Sequence, residues 1–239
     1  MKNSIKEEAR RYIGERPLLF YNFYRLRPHY RHLLVDRTTQ FVIEGFPRSG
    51  NTFAVVAFEQ AQRENLRTAH HLHAPAQVML AARWRIPALV LVRKPTDAVL
   101  SWTIREPWVS VRQALSYYVY FHQKITEYRH AFVLGLFEEV IRDYGAVLER
   151  VNAKFGTRFS PFEHSEDNIS SVFVQIERMH RARDGRLDET RIARPLARKA
   201  ELKDGLRREL EHPESRKLTT YAEAVYNALV LPSVGELSP

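Results

Sequence analysis

The segment from Gly45 to Thr52 constrains the fold more than any other part of the chain. It follows a short apolar run, Gln40 to Glu44, whose composition is typical of a buried strand, and it leads directly into an apolar helical pattern. Its two glycines are separated by four residues and it ends in threonine, which is the spacing of a P-loop. Backbone N–H groups and the helix dipole at such a corner attract phosphate. We therefore predict a strand, a phosphate-binding loop and a helix, in that order.

One position separates this segment from the loop of a nucleoside triphosphatase. Asn51 stands where those proteins carry the lysine that reaches the terminal phosphates, and the cationic residue of the segment is Arg48. We therefore expect a different phosphate ester as the ligand. Considered alone, the segment is also compatible with an ordinary corner between a strand and a helix.

Apolar runs and helical patterns alternate along the chain. We expect strands at 40–44, 69–71, 88–92 and 131–137, and helices at 51–62, 74–84, from 96 onward, and at 108–130, 138–155, 198–211 and 218–229. Between residues 156 and 197 we expect irregular polar chain. This alternation predicts an α/β fold, a three-layer sandwich with a central parallel sheet, and a single domain over residues 1–239.

A second candidate phosphate site follows the aliphatic run Ala88 to Val92. Arg93 would stand at the carboxyl edge of the sheet, where open α/β folds bind their ligands, and Pro95 suits the first turn of the next helix. Ser101 would lie about a turn and a half into that helix, so that one phosphate could bridge it and Arg93. The alternative for an arginine at a strand end is a surface ion pair.

Three histidines, His70, His71 and His73, lie between the two motifs at the expected end of the second strand. Imidazole titrates near neutral pH, so a histidine here can accept the proton of an attacking hydroxyl. Metal binding is the competing interpretation. Alternation along a strand would place His70 opposite His71 and leave only two of the three side chains on one face, which disfavours a metal site.

Together the two motifs resemble those of the sulfotransferases that use 3′-phosphoadenosine 5′-phosphosulfate (PAPS), whose fold is related to that of the P-loop kinases. The 5′-phosphosulfate loop of that family resembles residues 46–53, and its 3′-phosphate motif resembles residues 93–101, with Arg and Ser eight positions apart. The resemblance covers about residues 40–140, roughly one mononucleotide-binding half. It implies a P-loop-kinase-like sulfotransferase fold, PAPS as the donor, PAP as its product, and no required metal.

The resemblance also implies roles for individual residues. His71 would be the general base, since it precedes Arg93 by 22 positions, and Arg48 would stabilise the leaving phosphate and the sulfuryl group in place of the usual lysine. Phe53 and Phe137 would pack on adenine where the family usually carries Trp and Tyr. The donor would be bound by Arg48, Ser49, Gly50, Asn51, Thr52, Phe53, Arg93, Ser101, Phe137, Arg198 and Lys199, although the glycine that usually follows the last pair is absent.

Charge and composition narrow the partners. Lys and Arg number 37 against 28 Asp and Glu, a net charge of +9, which favours an anionic ligand, and no nucleic-acid-binding module is recognisable. The sequence contains no Cys and no apolar stretch of about 20 residues, which predicts a cytoplasmic protein. Residues 1–37 are basic and aromatic. We interpret them as a helical extension packed on the core, the alternative being an arm that contacts a membrane surface or a partner.

These observations predict in-line transfer of a sulfuryl group from PAPS to a hydroxyl or amine of a small molecule, a glycan or a lipid. Two alternatives stay open. The first is a P-loop kinase that uses ATP and magnesium on a small molecule, against which the missing lysine at Asn51 argues. The second is a non-catalytic basic module, which does not explain why His71 and Arg48 accompany one phosphate cradle.

Overall fold

The structure is a computed structural model that describes residues 2–184 and 197–231, with side chains described within 8–181 and 203–231. Its four strands are β1 (Phe41–Gly45), β2 (Thr68–His70), β3 (Ala88–Val92) and β4 (Val133–Leu136). The α-helices of the described part are α1 (Lys2–Gly14), α2 (Pro17–Arg25), α3 (Pro28–Arg31), α4 (Asn51–Ala61), α5 (Pro75–Trp84), α6 (Pro95–Arg105), α7 (Val111–Thr126), α8 (Phe137–Val140), α9 (Tyr144–Phe155), α10 (Glu166–Asp184), α11 (Ala197–Glu211) and α12 (Pro213–Val230), and a 3-10 helix spans Arg129–Ala131.

The strands form one parallel sheet in the order β2-β1-β3-β4. Successive side chains of a strand point to opposite faces. Val42 and Val90 accordingly belong to one buried apolar cluster, and Ile43 and Leu91 belong to another. With a core on each face and helices over both, the predicted α/β sandwich with a central parallel sheet is confirmed.

The strand order also fixes where a ligand can bind. From β1 the chain passes to β2 on one side and then returns to β3 on the other side. The carboxyl ends of β1 and β3 are therefore the topological switch point, the crevice in which open α/β sheets hold their ligands. The two predicted phosphate motifs begin at these two strand ends.

The segment after residue 156 differs from the prediction. Helix α10 occupies 166–184, where irregular polar chain was expected, and it packs on α4. Its core face is a narrow stripe in which Val172 and Ile176 are fully buried. The polar composition of the other faces hides this stripe from a search for apolar runs.

The predicted helix 138–155 is two helices, α8 and α9. Asp143 divides them, because its Oδ1 accepts a hydrogen bond from the Ala146 N–H at 3.1 Å and so caps the start of α9. The helical stretch predicted for 108–130 is shorter and starts at Val111, after a capping box between Ser110 and Gln113.

In the described part of the N-terminal extension, α1 and α2 pack on the core. Phe20 is fully buried in the larger core cluster, Arg11 Nη2 donates to Ser116 Oγ at 3.0 Å, and the Tyr120 hydroxyl donates to the Arg11 carbonyl at 2.8 Å. Contact with a membrane surface or a partner stays a prediction. Within the described residues no helix has the length and apolar character that crossing a bilayer requires.

Acid is expected to destabilise the protein partly through His122. This side chain is fully buried, and its Nδ1 donates to the Tyr118 carbonyl at 2.8 Å. Burial lowers the pKa of His122 from 6.5 to about 4, so the unfolded chain takes up a proton in this range while the folded protein does not. The contribution of His122 to the free energy of unfolding is therefore present above about pH 6.5 and is lost as the pH falls toward 4, by up to about 1.4 kcal/mol per pH unit.

The measurement is urea unfolding of the wild type and His122→Leu at several pH values across this window. The variant should lose less stability per pH unit. His70, whose pKa is also lowered to about 4, chiefly by burial, should account for part of the slope that remains. Parallel pH dependences for the two proteins would contradict the assignment.

Candidate active site

Two glycines and one asparagine shape the loop between β1 and α4. Gly45 lies so close to β3 that a Cβ on it would be 2.4 Å from the Leu91 carbonyl oxygen, and Gly50 has a left-handed φ of 93°. Asn51 is 3% exposed, and its Nδ2 donates to the Phe46 carbonyl at 2.9 Å, which closes the loop. Asn51, which stands where a nucleoside triphosphatase has its lysine, thus stabilises the conformation of the loop.

Arg48 joins the two predicted phosphate motifs. Its Nε donates to Ser101 Oγ at 3.0 Å, although the two residues are 53 positions apart in the sequence. Arg93 Nη1 donates to the Arg48 carbonyl at 3.1 Å. The loop after β1 and the corner after β3 therefore meet at the switch point of the sheet.

Positive charge is concentrated at this meeting point. Burial, followed by repulsion from Arg105 and Arg93, lowers the pKa of Arg48 to about 10, against an opposing effect of Glu106. Burial also lowers the pKa of Arg93. Arg48 is nevertheless protonated at neutral pH, so a bound anion would relieve the repulsion between these guanidinium groups.

Buried polar atoms without partners mark the same place. Ser49 is fully buried, and within the described part of the chain neither its Oγ nor the Nε of Arg93 has a hydrogen-bond partner. Unpaired buried groups cost free energy. Oxyanions bound at the loop and beside Arg93 would supply the acceptors that these two groups lack, so the residues present fit phosphate or sulfate esters. The Oδ1 of Asn51 is also unpartnered, but as an acceptor it gains nothing from an anion.

Phe137 covers the loop from the end of β4. The guanidinium carbon of Arg93 lies 3.9 Å from the centroid of its ring, a cation–π contact. A Cβ on Gly50 would lie 3.3 Å from the same ring. The structure thus brings Phe137 to the predicted donor site. Its packing against adenine stays a prediction.

Phe53 lies deeper than its predicted role suggests. It is 6% exposed, which leaves little of its ring for a ligand. Its ring packs among those of Tyr144, Phe162, His164 and Phe173. Stacking on adenine therefore stays a prediction.

Arg198 and Lys199 lie at the start of α11 but outside the residues whose side chains are described.

The backbone is strained at three of the candidate residues. In the described part of the chain four residues other than glycine have a left-handed φ, and they include Arg48 (69°), His71 (60°) and His73 (52°). The fourth, Arg85, ends helix α5. Conformations of this kind cost about 1–3 kcal/mol each and cluster at functional sites. The distribution supports a functional role for the loop and for the histidine segment.

His71 reaches the phosphate loop. Its Nε2 lies 3.1 Å from Thr52 Oγ1, and its Nδ1 lies 2.7 Å from His70 Nδ1. The expectation that His70 points away from His71 is therefore wrong. Strand β2 ends at His70 and the left-handed turn at His71 breaks the alternation, so the two rings meet. Among the described residues no group of three or more His, Asp or Glu side chains is arranged to hold a metal.

His73 also lies at the loop, on the side of strand β1. Its Nδ1 is 2.7 Å from the Gly45 carbonyl oxygen and 3.4 Å from Glu44 Oε1. The Tyr117 hydroxyl donates to the His73 carbonyl at 2.8 Å and fixes the segment to α7. The centroids of the His71 and His73 rings are 5.7 Å apart. Two imidazoles therefore stand beside the loop.

Sequence reasoning missed the residues that support the site. Tyr118 donates from its hydroxyl to the Arg93 carbonyl at 2.7 Å, as its neighbour Tyr117 does to the histidine segment. Aromatic residues at helical spacing indicate core packing and give no sign of this role. Glu44 did carry a signal, because it is a charged residue within an apolar strand.

Comparison with known proteins finds no matching family model and no curated protein with significant sequence similarity. Among solved structures, the crystal structure of mouse sulfotransferase SULT7A1 complexed with PAP aligns with this chain at a TM-score of 0.41 and 13% sequence identity. The alignment covers 80% of this chain and 91% of the mouse chain. Similarity at this level carries no inference about the function of the chain.

Proposed function

We propose that this chain is a sulfotransferase that moves a sulfuryl group from PAPS to a hydroxyl or amine of an acceptor. The observation that carries the proposal is the direct contact between the two phosphate motifs, Arg48 with Ser101 and Arg93 with the Arg48 backbone. A donor with phosphate groups on the 3′ and 5′ carbons of one ribose needs two neighbouring anion sites. A loop without the P-loop lysine suits a sulfated donor better than a triphosphate.

The donor is assigned to the two motifs as follows. The 5′-phosphosulfate lies on the loop, where the start of α4, Ser49 and Thr52 offer N–H and O–H donors. The 3′-phosphate lies between Arg93 and Ser101. Phe137 already contacts Arg93 and packs beside the nucleoside. The sheet edge thus holds the donor by both phosphate groups of its ribose, while the S–O bond that breaks stays at the loop.

The protein then assists the transfer in two ways: it takes up the proton of the acceptor and it stabilises the charge on the leaving group. The acceptor oxygen attacks sulfur, and its proton passes to a histidine of the segment after β2, where His71 and His73 both stand at the loop. As the bond between sulfur and the bridging oxygen breaks, the electron pair stays on that oxygen. Arg48 stabilises the charge that grows there.

The alternative is a P-loop kinase that uses ATP and magnesium. Asn51 is buried and bonded to the Phe46 carbonyl, so it does not replace the missing lysine at the terminal phosphate. A kinase would then have to bind a more highly charged triphosphate with Arg48 as the cationic residue of the segment 45–52. The geometry therefore favours the sulfated donor.

The proposal is tested by calorimetric binding of PAP, AMP and ATP with magnesium. The wild type should prefer PAP to AMP by about 10- to 150-fold, the range expected for one charge-assisted phosphate contact. Arg93→Ala should remove most of this preference. Lys94→Ala is the matched control, because it removes a neighbouring exposed charge and should keep the preference.

Equal affinity for PAP and AMP in the wild type would contradict the 3′-phosphate assignment. Tighter binding of ATP with magnesium than of PAP would favour the kinase. If the protein bound none of the three nucleotides, the remaining alternative would be the basic, non-catalytic module.

A further inference from the structure

Glu44 is an acid buried in an apolar strand directly before the phosphate loop. Its side chain is fully buried at the end of β1. A buried carboxylate is retained only where N–H or O–H donors replace the water it loses. The donors that surround Glu44 therefore show which parts of the site its carboxylate connects.

Three N–H groups donate to the carboxylate, and the His73 ring lies beside it. Oε1 accepts from the Gly45 N–H at 3.1 Å and lies 3.4 Å from His73 Nδ1. Oε2 accepts from the Leu72 N–H at 3.1 Å and from Gln77 Nε2 at 3.2 Å. These groups belong to the loop, the histidine segment and α5. One side chain thus ties three parts of the site together.

The Leu72 contact explains how the histidine segment keeps its strained shape. Leu72 lies between His71 and His73, and both of these have a left-handed φ. Such a conformation persists only where its surroundings fix the backbone. The bond from the Leu72 N–H to Glu44 fixes it at the midpoint.

The His73 contacts determine which ring nitrogen carries hydrogen. A carbonyl oxygen only accepts, so the 2.7 Å contact with Gly45 requires hydrogen on Nδ1. In neutral His73 the lone pair is then on Nε2. Both nitrogens of His71, by contrast, already face a neighbour, at Thr52 and His70.

We propose that Glu44 is a positioning residue: it holds the histidine segment where the Gly45 carbonyl keeps hydrogen on His73 Nδ1 and the lone pair lies on Nε2, which makes His73 the proton acceptor of the transfer. The proposal rests on the proposed function. When the acceptor oxygen attacks sulfur, its proton moves to His73 Nε2 and its electron pair forms the new O–S bond, while the bond from sulfur to the bridging oxygen of PAPS breaks and its electron pair leaves on PAP. The imidazolium then donates from Nδ1 toward Gly45 and Glu44, and the carboxylate balances its charge.

The test uses NMR of protein labelled with ¹⁵N in its histidines, without any ligand, because long-range ¹H–¹⁵N spectra identify the tautomer of each ring. The His73 signals are assigned by their loss in His73→Gln. In the wild type at a pH where His73 is neutral, we expect a single tautomer with hydrogen on Nδ1. In Glu44→Gln the amide N–H groups face the N–H donors that the carboxylate accepts, so the histidine segment is no longer held. His73 then loses its contact with the Gly45 carbonyl, and we expect a mixture of tautomers.

Gln77→Met is the matched control. Gln77 is also fully buried and belongs to the same network, but its loss leaves the contacts of Glu44 with Gly45, Leu72 and His73. It should lower stability and keep the single tautomer. A wild type with hydrogen on Nε2, or a Glu44→Gln protein that keeps the single Nδ1 tautomer, would overturn the proposal.

The outcome is separable from that of the proposed function. The tautomer is a property of the free protein and needs neither donor nor acceptor. PAP binding is measured on the same samples. If the wild type shows the Nδ1 tautomer and does not bind PAP, the sulfotransferase assignment fails while the positioning of His73 by Glu44 stands.

Discussion

Arg48→Ala is expected to lower turnover about 10²–10³-fold while PAP affinity falls much less. The reason is that negative charge on the bridging oxygen develops only as the S–O bond breaks, so Arg48 contributes more to the transition state than to donor binding. The bond from Arg93 to the Arg48 backbone does not depend on the side chain and should survive the substitution. The measurement is steady-state turnover beside calorimetric PAP affinity.

Arg48→Lys is the control for charge. It keeps the cation but loses the Nε that bonds Ser101, so it should be the milder change. Equal loss of rate in the two variants would mean that the bond to Ser101 matters more than the charge. A wild-type rate in Arg48→Ala would exclude the electrostatic role.

His73→Ala is expected to lower turnover about 10²–10⁴-fold with PAP affinity nearly unchanged, as for loss of a general base. His71→Ala should act differently. It removes the contact with Thr52 at the phosphate loop, so it should weaken PAP binding as well as slow the reaction. Both variants are measured with the same acceptor, once an acceptor is found.

The reverse result is also informative. If His71→Ala abolished turnover with PAP affinity intact while His73→Ala stayed active, the base would be His71, as the sequence resemblance implies. His70→Ala serves as the common control. Its ring contacts His71 and no group of the loop in the described contacts, and it should affect stability more than rate.

The sequence predicts the sheet and the loop well because both depend on local patterns. Continuous aliphatic runs indicate strands buried on two faces, and the glycines at 45 and 50 indicate the corner between β1 and α4. The polar helix α10 escapes this approach because its stripe of buried residues is narrow. Local sequence patterns indicate what fraction of an element is apolar. A helix that covers one edge of a core needs few apolar residues, so its pattern is weak.

The interior of the site is less predictable for a different reason. The bond between Arg48 and Ser101 depends on how two strand ends are placed side by side, and no local pattern specifies it. The relation between His70 and His71 was predicted wrongly because alternation holds only within a strand, and β2 ends at His70. The sequence motifs supply the candidate residues of the site, whose roles stay predictions. Their partners had to come from the fold.

The left-handed backbone at Arg48, His71 and His73 has a consequence for variation of this protein. Glycine adopts this conformation without steric cost, so glycine at any of the three positions would relieve strain of about 1–3 kcal/mol, offset in part by the greater freedom of glycine in the unfolded chain. Glycine would also lose the side-chain contacts with Ser101, Thr52 and the Gly45 carbonyl, so a laboratory selection for heat resistance would favour glycine only where the strain exceeds these losses. If active variants retain Arg48, His71 and His73, selection for activity outweighs selection for stability at these positions.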